Sequence, residues 1–470
     1  MPRIFKSRRL VLAVRPVVLR RRIPAKGNFK RRTETSCFTS PFFIARFATE
    51  IFFPQRIPLK IDGRSYSPKV LEKAMICVAR HPAFHLAATM LHDVGDISIS
   101  GRHVGNLAAR VGGELEQQRD ALTEAYFDQP LPRVATEPNT PISLACVSPD
   151  GGRMQTRLVS STNGVQEPHW RETKNAIFMR MTGVQFSEDP HPDLPGCFQD
   201  RQYMKKLLSG VAEEGDFDPP GVADNKSNDK NKDKSDLRSW RPERVFRTCL
   251  STLRDSDSLG RMMEAEADSR GFYQARKQAF VCDGLAYNWT IQKRHFPTFT
   301  PILDYPHVIE RVHEAAKAVR KTSDDAWEVY VRWASACWCG RVREVLDEMR
   351  KEQQQIGQPP AGCEEGDPRK VLAAAIGYFT NNASRMDYPR YRTDGLPMTS
   401  AHMESFVKEV NYRVKGTEKF WNDGPSAEAI LQIRAAVLCD DDRLKTHLRS
   451  RPGNPFRPNI KAKSAAPAAA

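Results

Sequence analysis

The sequence predicts an α/β fold, a mixed sheet with an all-helical insertion, preceded by a helical N-terminal domain. Three observations carry that expectation. Strand-like and helical stretches alternate as Ala279 to Cys282, Tyr287 to His295, Thr300 to Leu303 and Val308 to Arg320, which is the β-α-β-α order of a parallel sheet. Upstream, Ser143 to Ser148, Gln155 to Ser160 and Ala176 to Thr182 read as successive strands of an antiparallel run. From Asp324 to Ala375 the periodicity is almost entirely helical, with Trp327, Trp333 and Trp338 as bulky core candidates.

Taken in order, residues 1–60 form a basic, flexible arm. The first fifty carry thirteen Lys or Arg against Glu34 and Glu50, within a chain whose formal charge is +15. Such an arm neutralises phosphates and releases counterions, so it predicts salt-dependent nucleic-acid affinity without sequence preference. Residues 61–128 read as a helical domain containing a helix-turn-helix pattern: Phe84 to Leu91, a turn through Ile97 to Ser100, and Gly101 to Leu115, with Ser100 as N-cap. In its second helix Val104, Leu107, Ala108 and Val111 share one stripe, and Arg102, His103, Asn106 and Arg110 face the other way, a polar face suited to a DNA major groove. An ordinary helical hairpin with a solvated face fits the same pattern.

Gln129 to Thr140 is proline-rich and polar, a linker. Residues 140–322 then form the first part of the α/β unit, with a helical piece around Tyr203 to Ala212, a disordered, charged loop at 215–236, and a helix over Arg244 to Arg261. The helical insertion occupies 323–399, the last part of the α/β unit 400–447, and a disordered tail 448–470.

Hydrophobic residues make up 40% of the 470, enough for a sizeable core. The ten cysteines include no C-x-x-C pair, which argues against zinc and for reduced thiols. No apolar segment is long enough to span a membrane, and a cytoplasmic protein is expected.

Three carboxylates stand out. Asp150 (CVSPDGG) and Asp283 (AFVCDGLAYNW) each follow a short apolar run and precede a glycine, so both are expected at strand ends where the backbone turns. Glu404 (HMESFVKEVNYRVKG) lies on a helix whose apolar stripe is Met403, Val407, Val410 and Val414 and whose polar flank is Glu404, Lys408, Asn411 and Lys415. Hard oxygen donors in this arrangement suit a pair of Mg²⁺ ions that act on phosphate.

In the order in which they occur, DGGRMQTR, WRETK, CDGLAYNW, LDYPHVIERVHEAAKAV, TNNASRMDYPRYRTDGLP and the Glu404 helix resemble bacterial insertion-sequence transposases of the DDE type, nearest the Kra-four insertion-sequence family, over roughly residues 61–459. The resemblance implies an RNase H-like catalytic core and a metal-binding catalytic triad of Asp150, Asp283 and Glu404 that uses Mg²⁺, with Mn²⁺ as a substitute. It makes Asp304 and His307 an accessory D-x-x-H pair and brings Lys408, Arg413 and Lys415 near the scissile DNA. It also implies double-stranded DNA partners (terminal inverted repeats and target), a homo-oligomer assembled on DNA, and association with the nucleoid. Where relatives carry valine before the first acid, this chain has Pro149. Two other readings stay open: an RNase H-like nuclease that cuts without joining, and a domesticated or inactive DNA-binding relative.

Overall fold

The computed structural model describes residues 23–31, 34–42, 66–157, 169–209, 240–416, 419–422 and 425–451. The rest of the basic arm, the loop at 215–236 and the tail beyond Arg451 lie outside them. The described chain divides into two compact units: residues 1–78, 84–107 and 442–470, and residues 79–83 and 108–441.

In the first unit β1 (Ile23–Arg31) and β2 (Glu34–Phe42) pair antiparallel within the stretch expected to be flexible. Helices α1 (Pro68–Arg80), α2 (Phe84–Gly95) and α3 (Gly101–Phe127) follow, the first and third running on into the second unit. The expected N-cap holds: Ser100 Oγ accepts from the backbone N–H of His103 at 3.3 Å. The apolar stripe Val104, Leu107, Ala108 and Val111 is buried.

The second unit is α/β, built on a mixed sheet. Its strands are β3 (Leu144–Arg157), β4 (Trp170–Thr182), β5 (Glu243–Thr252), β6 (Lys277–Cys282) and β7 (Thr300–Leu303), in the order β5-β4-β3-β6-β7. Pairing is antiparallel from β5 through β4 to β3 and parallel from β3 through β6 to β7. Helix α4 (Arg201–Leu208) precedes β5, α5 (Ser256–Ser269) follows it, and α6 (Ala286–His295) connects β6 to β7.

Three expectations are corrected here. The two strands expected on either side of Pro149 are one, because β4 continues the ladder through Pro149↔Ala176, Asp150↔Asn175 and Gly152↔Thr173. Gly152 marks close packing rather than a turn: a Cβ there would lie 2.6 Å from Thr173 Oγ1. The helix expected over Arg244 to Arg261 is a strand and a separate helix, β5 and α5. Among the tryptophans Trp333 and Trp338 are buried, but Trp327 is half-buried at the rim with the Arg201 guanidinium 5.3 Å above its ring.

Helix α7 (Tyr305–Val319) leads into the helical insertion, α8 (Ser323–Trp338), α9 (Val342–Ile356), α10 (Pro368–Asn382) and α11 (Tyr388–Thr393). Its base is fastened by Arg392, which is fully buried. The guanidinium donates from Nε to Asp189 Oδ1 at 2.7 Å and from Nη2 to Asp189 Oδ2 and to the Trp338 carbonyl, and it stacks 4.2 Å from the Trp338 ring. After this clamp come α12 (Ala401–Val414), packed on β3 and β4, then the short β8 (Trp421–Asn422) beside the end of β3, and α13 (Pro425–Leu438) against β5. Helix α14 (Arg443–Ser450) belongs to the first unit and extends into the expected tail. Cys146, Cys197, Cys249, Cys282 and Cys337 are buried. Among the described residues no helix is long and apolar enough to cross a membrane.

Candidate active site

Strands β3 and β6 are neighbours, and the first two carboxylates stand on them. Asp150 lies within β3, not at its end, and Asp283 immediately follows β6. The turn expected after Asp283 is real: Gly284 adopts φ +94°, where a Cβ would also press on Leu303 and Tyr378 at 3.0 Å. The Asp283 carboxylate accepts from Asn288 Nδ2 (3.0 Å) and the Leu285 N–H (3.1 Å), and its carbonyl accepts from the Tyr378 hydroxyl (3.1 Å). Glu404 sits in the first turn of α12, the helix laid across β3.

Electrostatics tie the three together. Burial, then the charge of Asp283, with a smaller push from Glu404, raises the Asp150 carboxyl to about 7; the Gly151 N–H, which donates to it at 2.6 Å, and His307 act in the opposite sense. Glu404 is raised to about 7 as well, by burial and by Asp304, against the opposing charges of His307 and Lys408.

The accessory pair has a defined structural part. Asp304 is fully buried at the N-cap of α7, where its carboxylate accepts from the backbone N–H and ring Nδ1 of His307 and from the backbone N–H of Ser400 at 2.6 Å. Ser400 caps α12, so Asp304 fixes the start of the helix that presents Glu404. Burial opposes charge on His307, but the hydrogen bond and charge of Asp304 outweigh it and lift the imidazole to about 10. Asp304, His307 and Glu404 offer ligand atoms all within 4.8 Å of one another; among the described residues this is the group compact enough for one ion, and it shares only Glu404 with the expected triad. Both Asp304 oxygens already accept hydrogen bonds, which suits it to orienting His307 and α12.

No protein-family model and no curated protein matches this chain.

Of the expected DNA-contacting residues, Arg102, Asn106, Lys408 and Lys415 are exposed. His103 is half-buried, its ring 5.7 Å from that of Tyr66, and Arg110 is half-buried too. Arg413 is a correction. It is 1% exposed, donates from Nη1 to the Pro82 carbonyl at 3.0 Å and lies 4.9 Å from the Trp421 ring, so it holds helix ends together rather than facing DNA. Sequence reasoning missed a group beside Asp150. Lys174 Nζ pairs with Glu172 at 2.8 Å and sits 4.4 Å over the Tyr287 ring, and burial followed by Glu172, Asp150 and Asp283 raises the Tyr287 hydroxyl. Its signal was the alternation of Glu172 and Lys174 along a strand.

These shifts predict a pH effect on the metal-free protein. A carboxyl raised from about 4 in the unfolded chain to about 7 when folded binds its proton more tightly in the folded state. Its contribution to stability is therefore complete below about pH 4 and lost as pH rises through about 7. With chelator present, the thermal midpoint should fall between about pH 5 and about pH 8, and Asp150→Asn should flatten that fall. An unchanged slope in the variant would remove Asp150 as its source.

Proposed function

We propose that this chain is an insertion-sequence DNA transposase of the DDE type. The observation that carries the reading is that the Asp150 carboxyl, on a strand next to the one that leads into Asp283 and under the helix that bears Glu404, is pushed up by the charges of both other acids. The strand order is compatible with an RNase H-like core, and the exposed basic residues with a double-stranded DNA partner.

The donor set fits hard divalent cations. All three groups are half-buried carboxylates; burial and the neighbouring acids disfavour the Asp150 anion, and burial and Asp304 that of Glu404, a cost that a cation beside them would remove. Asp150, Asp283 and Glu404 would hold Mg²⁺, or Mn²⁺ in its place; bound there, such ions activate an attacking oxygen and stabilise the leaving one. The chain's own residues do the rest. Asn288 and the Leu285 N–H fix the Asp283 carboxylate, Asp304 sets the start of α12, and the charge of His307 faces Glu404 and tempers the repulsion among the acids.

The test incubates purified protein with labelled terminal-repeat DNA and a target plasmid, with and without Mg²⁺. Transposition predicts end cleavage followed by joining of the 3′-OH to target. Cleavage without joined product points to a nuclease, and binding without any metal-dependent product to an inactive DNA-binding relative.

A further inference from the structure

Two thiols that the carboxylate site does not use meet where α13 ends on β5, the outermost strand of the sheet. The stretch that leaves α13 is held along the open edge of that strand. The Arg247 N–H donates to Asp440 Oδ2 at 2.8 Å, the Asp440 N–H donates to the Arg247 carbonyl at 2.9 Å, and the Arg247 guanidinium donates from Nη2 to the Leu438 carbonyl at 3.2 Å. Cys439 is thereby pinned on both sides, at Leu438 and at Asp440.

Between these anchors each cysteine lies against the other's backbone. Cys439 Sγ accepts from the Cys249 N–H at 3.1 Å and lies 3.7 Å from the Cys249 carbonyl, while Cys249 Sγ lies 3.7 Å from the Leu438 carbonyl, in the peptide group that leads into Cys439. Disulfides join Cα atoms up to about 7 Å apart, and a sulfur two bonds from its own Cα that accepts from the other residue's backbone N–H keeps within that reach. Rotation about the two χ1 bonds, not movement of a strand or helix, is what remains. The two thiols differ in access: Cys249 is 1% exposed and Cys439 is half-buried. A small oxidant reaches Cys439 first, with Cys249 behind it as the resolving thiol.

We propose that Cys439 and Cys249 are an oxidative modification site that takes hydrogen peroxide as its oxidant and closes as a disulfide. The Cys439 sulfur attacks one peroxide oxygen, the O–O bond breaks, and the thiol becomes a sulfenic acid with release of one water. The Cys249 sulfur then displaces the sulfenic hydroxyl, which leaves as a second water with the Cys249 proton. Two thiols lose two electrons and two protons, and one peroxide becomes two waters. The bond joins residues 190 apart in sequence, so the closed ring contains Asp283, Asp304, His307 and Glu404. Closing so long a loop restricts the unfolded chain and fastens the edge of the sheet to the end of α13, whatever the carboxylates do.

The test treats the purified chain with a small excess of hydrogen peroxide, quenches with catalase, blocks the remaining thiols with N-ethylmaleimide and maps unreduced peptides by mass spectrometry. Wild-type protein should give a linked Cys249–Cys439 peptide that dithiothreitol separates, and its thermal midpoint should rise by about 5 °C on oxidation and return on reduction. Cys249→Ser should remove the linked peptide and leave Cys439 as a sulfenic acid that dimedone traps; Cys439→Ser should remove both products. The linked peptide is read in the unaltered chain, so a Cys249→Ser that fails to fold leaves the test intact. The exposed Cys339 reports that peroxide has acted on the protein. Oxidised Cys339 without a Cys249–Cys439 peptide overturns the proposal, as does a linked peptide that forms equally well in protein unfolded with urea, where the fold holds nothing together.

Discussion

Replacing any one of Asp150, Asp283 and Glu404 by its amide should reduce metal-dependent end cleavage by about 10³-fold or more, and leave affinity for the same DNA within a few-fold. The amide keeps the shape of the side chain and its hydrogen-bonding length but loses the charge that retains a divalent ion. That ion is worth several kcal/mol of transition-state stabilisation, and each 1.4 kcal/mol is about a factor of ten in rate. DNA affinity rests instead on Lys and Arg contacts with phosphate, which these changes leave in place. For Asp150→Asn and Glu404→Gln the protein should also become more stable at about pH 8 without metal, because each removes a carboxylate that burial and its neighbours disfavour. Cleavage loss together with a lower thermal midpoint would mean that the acids are structural, and cleavage that persists in all three variants would dismiss them as catalytic residues. His307→Ala should give a smaller loss, since its charge acts on Glu404 from outside the three acids.

The largest loss of stability is expected from Arg392→Ala, about 3–5 kcal/mol by urea unfolding. The substitution leaves the Asp189 carboxylate without its two-toothed partner, deprives the Trp338 carbonyl of a donor and opens a void against the Trp338 ring. Arg392→Lys should recover little, because an ammonium cannot span both oxygens of Asp189 while covering the indole. The Asp189 carboxyl is held below the ordinary carboxylate value: burial alone would raise it, but the hydrogen bonds and charge of Arg392 outweigh burial. The contribution of this pair is therefore present above the unfolded value, about 4, and lost as pH falls through the lower folded value. A loss below about 1 kcal/mol for Arg392→Ala would show that the clamp is replaceable.

The parallel half of the sheet was legible in the sequence for a physical reason. Strands covered on both faces need continuous apolar runs, so AFVC and the stretch before Asp304 stand out between helical stretches. Strand β5 was not legible, because Val245, Phe246, Cys249 and Leu250 fall at a helical spacing, and only pairing with β4 makes them a strand. The break expected at Pro-Asp-Gly-Gly failed in the same way: a strong local turn signal yielded to a long-range ladder. Within the site, the neighbourhood of Asp150, Asp283 and Glu404 was readable from acids at the edges of apolar runs. The burial of Arg413 was not, since nothing local distinguishes a cation that caps a distant carbonyl from one that faces water. Nor did spacing alone reveal that Asp304 braces α12 through Ser400.

The ladder between β3 and β6 ends at Val147 and Phe280, although β3 runs on to Arg157. Strand β3 is thus joined to β4 along most of its length, to β6 as far as Val147, with the Ser148 hydroxyl still donating to the Val281 carbonyl at 2.7 Å, and to β8 at Thr156 and Arg157; between these lies an unzipped stretch that holds Pro149, which lacks an N–H to offer a partner. That gap between strands is fixed by covalent chemistry rather than by a swinging part. Whatever comes to lie beside Asp150 meets a strand edge with no ladder partner to displace, and no binding energy is diverted to prising strands apart.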